Sequence, residues 1–205
     1  MVAMMILVWS ALAFTLGALP FSYWLGRAFL GIDVRDCDAD RNPGAGNAWR
    51  AGGWRLGLPA GLLDVGKASA AVLLARSAGV AGWGLVPIAL APLFGHALSP
   101  FLAFRGGKSV AATFGVWLAL SGLLGVLSLA ACFGAVYAVQ RTDAWTNLIG
   151  SCLFFAGLLL YGASAALLTI SLATVLILAW TNRGELRVPP HWRQTRFLGR
   201  KARGL

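Results

Sequence analysis

Long stretches with little or no charge constrain what this chain can fold into. Five such stretches are residues 1–26, 56–75, 78–97, 109–140 and 144–182. Crossing a hydrocarbon core about 30 Å thick takes roughly 20 apolar residues in a helix. In lipid, only helices and closed barrels satisfy every backbone polar group. The sequence therefore predicts an all-α membrane protein, a polytopic bundle of transmembrane helices.

Composition supports the same class. Hydrophobic residues make up 59% of the 205 residues and charged residues 12%, whereas soluble domains carry about 25% charged residues. The net charge of +10 is explained by anionic lipid headgroups and membrane orientation, so we expect no nucleic-acid partner. The spacing of Cys37, Cys132 and Cys152 fits neither a metal site nor a disulfide framework, and we expect reduced thiols.

The two longest uncharged runs must each contain a break. Residues 109–140 are too many for one span and too few for two, and Ser121-Gly122 lies near their middle. We therefore expect a short helix at about 109–120 and a full one at about 123–140. In the last run, Tyr161-Gly162 is the expected turn between two helices. This division gives about seven transmembrane helices.

The cations predict how these helices are oriented. With seven crossings and the N-terminus outside, the inner segments are 27–55, 98–108, 141–146 and 183–205. Together they contain 15 of the 17 Lys and Arg residues, and cytoplasmic segments carry such an excess. We therefore expect one transmembrane domain over 1–182 with cytoplasmic loops at 27–55 and 98–108. Residues 183–205 would form a basic cytoplasmic tail.

A glycine-rich stretch in the first cytoplasmic loop is the first candidate site. Glycines such as Gly44 let backbone N–H groups turn toward an anion. Asn42 and Asn47 can donate hydrogen bonds, and Arg50 can hold a phosphate through two parallel ones. An ordinary glycine-rich loop at the headgroup surface is the alternative interpretation.

A second candidate lies in the next cytoplasmic loop, where Arg105-Gly106-Gly107-Lys108 precedes a predicted helix. Backbone donors, the helix dipole and the Lys108 ammonium can bind a phosphate together. His96, near the end of the preceding span, could position this loop or a substrate oxygen. The alternative is a basic anchor that only orients the membrane segment.

Two charged residues within a predicted span form the third candidate. Asp64 and Lys67 lie three residues apart, on one helix face. Charges at such positions are costly and usually functional or mutually paired. A structural ion pair and direct substrate contact both remain open. We find no serine nucleophile elbow and no metal-ligand cluster, so neither a metal nor another cofactor is expected.

Taken together, the motifs resemble one family, the bacterial membrane acyl-phosphate:glycerol-3-phosphate acyltransferases of the PlsY type. The matching motifs occur in the family's order from about residue 17 to 120: Gly17-Ala18-Leu19-Pro20-Phe21, Ile32-Asp33-Val34-Arg35, Asn42-Pro43-Gly44-Ala45-Gly46-Asn47 with Arg50, Asp64-Val65-Gly66-Lys67, Gly95-His96 and Phe104-Arg105-Gly106-Gly107-Lys108.

The resemblance implies transfer of a fatty acyl group from acyl phosphate to the sn-1 hydroxyl of glycerol 3-phosphate. The product would be lysophosphatidate, made for phospholipid synthesis at a bacterial plasma membrane. The oligomeric state stays open, and a monomer is plausible. The residues carried over form two groups. The expected catalytic residues are Arg50, His96 and Lys108. The expected substrate-binding residues are Asn42, Gly44, Asn47, Asp64, Lys67, Arg105, Gly106 and Gly107.

The chain also departs from the family pattern. The departures are Ala18, Asp40, Arg41, Gly46 and Ser109, and the family's terminal His…Asn segment has only Thr181-Asn182-Arg183-Gly184-Glu185 as a candidate remnant. Asp40 would repel a phosphate unless Arg41 or another cation pairs with it. A retargeted or inactive relative is therefore one alternative. A small membrane transporter or lipid-binding protein is another.

Overall fold

The computed structural model describes residues 2–193, which form α-helices joined by short loops and 3-10 turns. The helices are α1 Val2–Ala18, α2 Phe21–Leu30, α3 Ala45–Ser77, α4 Leu85–Ala97, α5 Val110–Val139, α6 Asp143–Tyr161 and α7 Ala165–Thr181. Within the described part of the chain, five helical stretches are long and apolar enough to cross a membrane: Val2–Leu30, Ala45–Ser77, Gly82–Leu102, Val110–Val139 and Asp143–Tyr161. The predicted all-α membrane class is confirmed.

The first predicted span is not a single helix. The chain leaves the helical path at Leu19-Pro20, between α1 and α2. Proline has no backbone N–H to continue the helical hydrogen bonds, and its ring clashes with the preceding turn. The break matters because it exposes the carbonyl of Leu19 to a side chain of α3.

Helix α5 reverses direction at Gly122, which confirms the predicted break. The rings of Phe114 and Phe133 lie 5.4 Å apart, centroid to centroid. In a straight helix, residues 19 positions apart would be separated by about 28 Å. Gly122 has φ 64° and ψ −156°, a region that only glycine adopts without strain. Residues 110–121 and 123–139 are therefore two antiparallel arms.

A second reversal, at Gly53, corrects the prediction that residues 27–55 form a loop. Gly53 has φ 60° and ψ −152°, and residues 45–52 form a short helical arm that folds back on residues 54–77. A Cβ atom at Gly57 would lie 2.8 Å from the Cα of Trp49. The glycine-rich sequence is thus helical because its glycines allow close packing of the two arms.

Apolar packing holds α3, α5 and α6 together. The indole of Trp117 is buried and lies 4.7 Å from the ring of Phe154, in an edge-to-face arrangement. A Cβ atom at Gly115 would lie 2.1 Å from the carbonyl oxygen of Val65, so only glycine allows α5 to approach α3 here. The guanidinium of Arg76 contacts the carbonyl of Ala119 at the far end of the first α5 arm.

The charged loops gather at one end of the bundle. Residues 31–44 meet residues 98–109, and residues 140–143 meet residues 182–193, through the ion pairs and hydrogen bonds described below. The segments predicted to share one face therefore do lie at a common end. Residues 194–205, the remainder of the predicted basic tail, lie outside the described residues.

Candidate active site

Two connected cavities open at the end of the bundle where the loops gather. The first, of about 440 Å³, runs between α3 and α5, and we call it the apolar cavity. Apolar lining residues include Leu58, Leu62, Val65, Val110 and Phe114. The second, of about 900 Å³, lies among the loops, and we call it the polar cavity. Asp40, Asn42, Arg50, Lys108 and Asp143 line both cavities and mark the junction between them.

A continuous chain of polar contacts links the two predicted catalytic cations at this junction. Nη1 of Arg50 donates to Oδ1 of Asn47 at 2.9 Å. Nδ2 of Asn47 donates to Oδ1 of Asp40 at 3.0 Å, and Oδ2 of Asp40 lies 2.7 Å from Nζ of Lys108. The two glycine-bearing segments, which the sequence offered as separate candidate sites, therefore meet at this junction.

Local turns in the first loop place these side chains. The backbone N–H of Asn42 donates to Oδ1 of Asp40, and the N–H of Gly44 donates to Oδ1 of Asn42, each at 3.1 Å. Such Asx turns are the usual role of Asn and Asp in loops. The buried side chain of Asn47 closes the loop by donating to the carbonyl of Asn42 at 2.9 Å.

The second loop is positioned against the end of α4. The N–H of Gly107 donates to the carbonyl of His96 at 2.9 Å, and the N–H of Gly106 donates to the carbonyl of Ala97 at 3.0 Å. A Cβ atom at Gly106 would lie 2.0 Å from the His96 carbonyl oxygen, and one at Gly107 would lie 2.3 Å from the His96 imidazole. Both glycines are therefore required for close packing. Lys108 follows them and is separated from α5 only by Ser109.

The Lys108 ammonium is held between two carboxylates, those of Asp40 and Glu185. Burial favours a lower pKa for Lys108, but the hydrogen bonds to Asp40 and Glu185 outweigh it and raise the pKa above the ordinary value. Burial likewise favours a higher pKa for Asp40, but hydrogen bonds from Lys108 and from the Asn42 N–H lower the pKa below the ordinary value. Both groups are charged at neutral pH.

The structure shows which cation compensates the negative charge of Asp40. Its compensating cation is Lys108, while Arg41 pairs with Asp36 at 3.0 Å. Arg50 is likewise flanked by two carboxylates: Asp38 lies 3.2 Å and Asp143 lies 3.7 Å from its guanidinium. Both cations at the junction, Arg50 and Lys108, are therefore paired with carboxylates.

A buried polar cluster lies beneath the junction, where Asp64 and Lys67 pair at 2.7 Å. Lys67 also donates to the carbonyl of Leu19 at 2.6 Å, and the hydroxyl of Ser22 donates to Asp64 at 2.9 Å. Nδ1 of His96 lies 4.0 Å from Asp64. The cluster therefore ties α3 to the α1–α2 break and to α4.

The structure brings most of the predicted site residues together. The predicted residues that line the apolar cavity, the polar cavity or both are Asn42, Gly44, Arg50, Asp64, His96, Gly106, Gly107 and Lys108. Asn47 lines neither cavity but contacts Asp40 and Arg50 at the junction. Lys67 lies just below, in the buried cluster. Arg105 is exposed and lines neither cavity.

Sequence reasoning missed several residues of the polar cavity: Tyr137, Arg141, Thr142, Asp143 and Arg193. Thr181, Asn182 and Glu185 were noted only as a remnant motif, yet they line the same cavity. The hydroxyl of Thr181 donates to the carbonyl of Lys108 at 3.1 Å. This contact joins the end of α7 to the second loop. It could not be predicted from the sequence, because the two residues are far apart in the chain and belong to no common motif.

Comparison with known proteins identifies the family to which the chain belongs. The family model described as "Glycerol-3-phosphate acyltransferase" matches residues 7–188. A glycerol-3-phosphate acyltransferase of Parasynechococcus marenigrum is 35% identical over 179 residues, covering 86% of this chain and 82% of the relative. One of Thermus thermophilus is 34% identical over 181 residues, covering 88% and 89%.

A solved structure is also similar. The crystal structure of PlsY (YgiH), an integral membrane glycerol 3-phosphate acyltransferase, in its glycerol 3-phosphate form, superposes with a TM-score of 0.79. The two chains are 26% identical, and the match covers 89% of this chain and 90% of the other. With this shared fold and with a family match that spans most of its length, the chain belongs to the glycerol-3-phosphate acyltransferase family.

Proposed function

We propose that this protein transfers a fatty acyl group from acyl phosphate to the sn-1 hydroxyl of glycerol 3-phosphate, giving lysophosphatidate and inorganic phosphate. The observation that carries this proposal is the meeting of an apolar and a polar cavity at Arg50 and Lys108. One substrate has a lipid tail and a phosphate head, and the other is a small dianion. The two cavities match these two chemistries.

The acyl donor would place its chain in the apolar cavity and its phosphate at the junction. Arg50 and Lys108 would contact the phosphate and stabilise the negative charge that develops as the acyl group transfers. His96 would position the second loop, because its carbonyl and ring pack against Gly106 and Gly107. Asp64 and Lys67 would keep α3 in register with this site.

The transfer requires no nucleophile from the protein. The sn-1 oxygen of glycerol 3-phosphate attacks the acyl carbonyl carbon and forms the ester bond. The bond from that carbon to the phosphate oxygen breaks, and inorganic phosphate leaves with the bonding pair. A substrate phosphate oxygen takes the hydroxyl proton, so the proposed step needs no base from the protein. Holding both substrates at the junction supplies much of the acceleration.

The same proposal includes location and topology. The loops that bear the site would face the cytoplasm at a bacterial inner membrane, with about seven crossings, the N-terminus outside and the C-terminus inside. The excess of Lys and Arg in these loops supports this orientation. A monomer would suffice, because the residues assigned above come from one chain.

The test uses purified full-length protein with radiolabelled glycerol 3-phosphate and palmitoyl phosphate. We expect labelled lysophosphatidate and one equivalent of released phosphate. Uptake of glycerol 3-phosphate into liposomes without any product would contradict the proposal and favour a transporter. If neither product nor uptake is found, a retargeted or inactive relative is favoured.

A further inference from the structure

A third cavity, of about 230 Å³, lies at the end of the bundle opposite the charged loops. It is formed by the end of α3, the start of α4, the reversal in α5 and the start of α7, and we call it the far cavity. Its lining is mostly apolar and includes Arg76, Leu85, Leu120, Ser164, Leu167 and Ile170. The acyl transfer proposed above uses none of these residues.

Arg76 is the only charged side chain at this end of the bundle in the part of the chain that the structure describes. Residues 2–26, 68–104, 109–140 and 144–182 contain no other Asp, Glu, Lys or Arg. The guanidinium of Arg76 therefore has no carboxylate partner at this end. An anion that reaches the far cavity meets an uncompensated positive charge.

The guanidinium of Arg76 is held in place by two carbonyl groups. Its Nη1 contacts the carbonyl oxygens of Ala119 and Leu120, the latter at 3.2 Å. Its Nε and Nη2 carry three of the five N–H donors, and these make no hydrogen bond to residues 2–193. Nε and Nη2 form one edge of the planar fork, and such an edge binds two phosphate oxygens at once.

Exposed aromatic side chains indicate that the far cavity lies at the boundary between hydrocarbon and water. Trp83 follows directly after Gly82 of the cavity lining, and Tyr161 ends α6. Both side chains are largely exposed, and Trp and Tyr are enriched at membrane–water boundaries. Helix α3 also ends at this level, at Ser77. Arg76 is therefore at the depth of the lipid headgroups.

We propose that the far cavity binds the headgroup of an anionic phospholipid, taken from the leaflet opposite the charged loops, with the lipid phosphate on Arg76. The apolar wall formed by Leu85, Leu120, Leu167 and Ile170 would contact the first carbons of the lipid chains. A soluble anion would pair with Arg76 but leave this wall in water. A zwitterionic headgroup would find no carboxylate for its cationic group. The inference goes beyond the proposed function and does not depend on it.

The test uses full-length protein in phosphatidylcholine liposomes that contain a trace of phosphatidylglycerol with a photoactivatable group beside its phosphate. After illumination, labelled peptides are identified by mass spectrometry. We expect labelling of residues 77–85 and 162–167, and Arg76→Gln should lower it at least about fivefold. Arg55→Gln is the matched control, because Arg55 is an exposed arginine of the same helix but lies at its other end and outside the far cavity. It should leave this labelling within twofold of the wild type.

A second variant leaves Arg76 in place. Ala81 lines the far cavity and has an extended backbone, with φ −142° and ψ 170°, which suits an aromatic residue. Ala81→Phe should fill part of the cavity and lower the labelling like Arg76→Gln, and it also serves if Arg76→Gln does not fold. Arg76→Lys should recover part of the labelling, because it restores the charge.

Competition identifies the occupant. Added phosphatidylglycerol should suppress the labelling, whereas the same amount of additional phosphatidylcholine or of the deacylated headgroup, glycerophosphoglycerol, should not. Equal suppression by phosphatidylcholine would overturn the preference for an anionic lipid, and equal suppression by glycerophosphoglycerol would show a site for soluble anions instead. Wild-type labelling in both Arg76→Gln and Ala81→Phe would overturn the proposal as a whole.

Discussion

Nζ of Lys108 lies 2.7 Å from Oδ2 of Asp40, so a residue that departs from the family pattern pairs directly with a predicted catalytic cation. Asp40 also accepts hydrogen bonds from the Asn42 N–H and the Asn47 side chain. Through these contacts it connects the two glycine-bearing loops. The Asp40 carboxylate is therefore a paired group that holds the two loops of the site together.

The first prediction concerns the hydrogen-bonding role of Asp40. In Asp40→Asn, the side-chain oxygen can still accept from Asn42 and Asn47, whereas Asp40→Ala leaves both donors without this acceptor. An unsatisfied buried donor costs about 1–3 kcal/mol. We expect Asp40→Ala to unfold at a clearly lower temperature than Asp40→Asn, measured by thermal denaturation in detergent. Equal unfolding temperatures of the two variants would show that Asp40 stabilises the protein through its charge and not through these hydrogen bonds.

The second prediction concerns pH. The pKa of Asp40 is lowered from 3.8, so its stabilising contribution is complete above that value and is lost as the pH falls through the lowered pKa. The pKa of Lys108 is raised from 10.5, so its contribution is complete below that value and is lost as the pH rises through the raised pKa. Both contributions are therefore complete between about pH 4 and pH 10.

The measurement compares the wild type with Lys108→Gln. Asp40 and Glu185 are the charged groups that face Lys108 directly, and Arg50 and Asp143 share the junction. We expect the difference in unfolding temperature between the two proteins to stay constant from about pH 6 to pH 9. A difference that disappears within this range would mean that Lys108 loses its proton there.

The third prediction concerns the reversal in α5. Gly122 has positive φ, and a Cβ atom there would meet no heavy atom within 4 Å. Gly122→Ala therefore isolates the backbone strain, which costs about 1–3 kcal/mol. Gly134 is the control, because it also has open space but lies within the second arm of α5. There, alanine should be neutral or stabilise by about 0.5–1 kcal/mol. Equal stability of the two variants would contradict this account of the turn.

The fourth prediction concerns topology. Single cysteines are introduced at Ser164 and at Arg187 in a variant without the three native cysteines, and membrane-impermeant maleimide is added to intact cells. With the site in the cytoplasm, Ser164 lies at the outer end of the bundle and should be labelled. Arg187 should react only after the cells are opened. The reverse pattern would place the site outside.

The break at Gly122 could be predicted because it depends on length and local conformation. Residues 109–140 are too long for one span, and a glycine near their middle supplies the positive φ that a reversal needs. The helical arm at residues 45–52 could not be predicted this way. Its glycines are typical of loops, and it forms because Gly57 allows Trp49 to pack against the long arm.

The site residues could be predicted where residues adjacent in the sequence together indicate anion binding. Arg50 and Lys108 stand in glycine-rich segments whose composition indicates anion binding, and the structure places both at the cavity junction. The partners of these cations were not predictable, because Asp143 and Glu185 come from distant helix ends. Arg141 and Arg193 were missed for the same reason, since a backbone bridge between distant segments brings them together.

The most direct test of the central claim is the turnover of Lys108→Ala with labelled glycerol 3-phosphate and palmitoyl phosphate. Arg187→Ala serves as the control, because Arg187 is exposed and lines neither cavity. We expect Lys108→Ala to lose at least about 100-fold in turnover, with unchanged membrane insertion and elution on size exclusion, while Arg187→Ala keeps wild-type turnover. Wild-type turnover in Lys108→Ala would contradict the account.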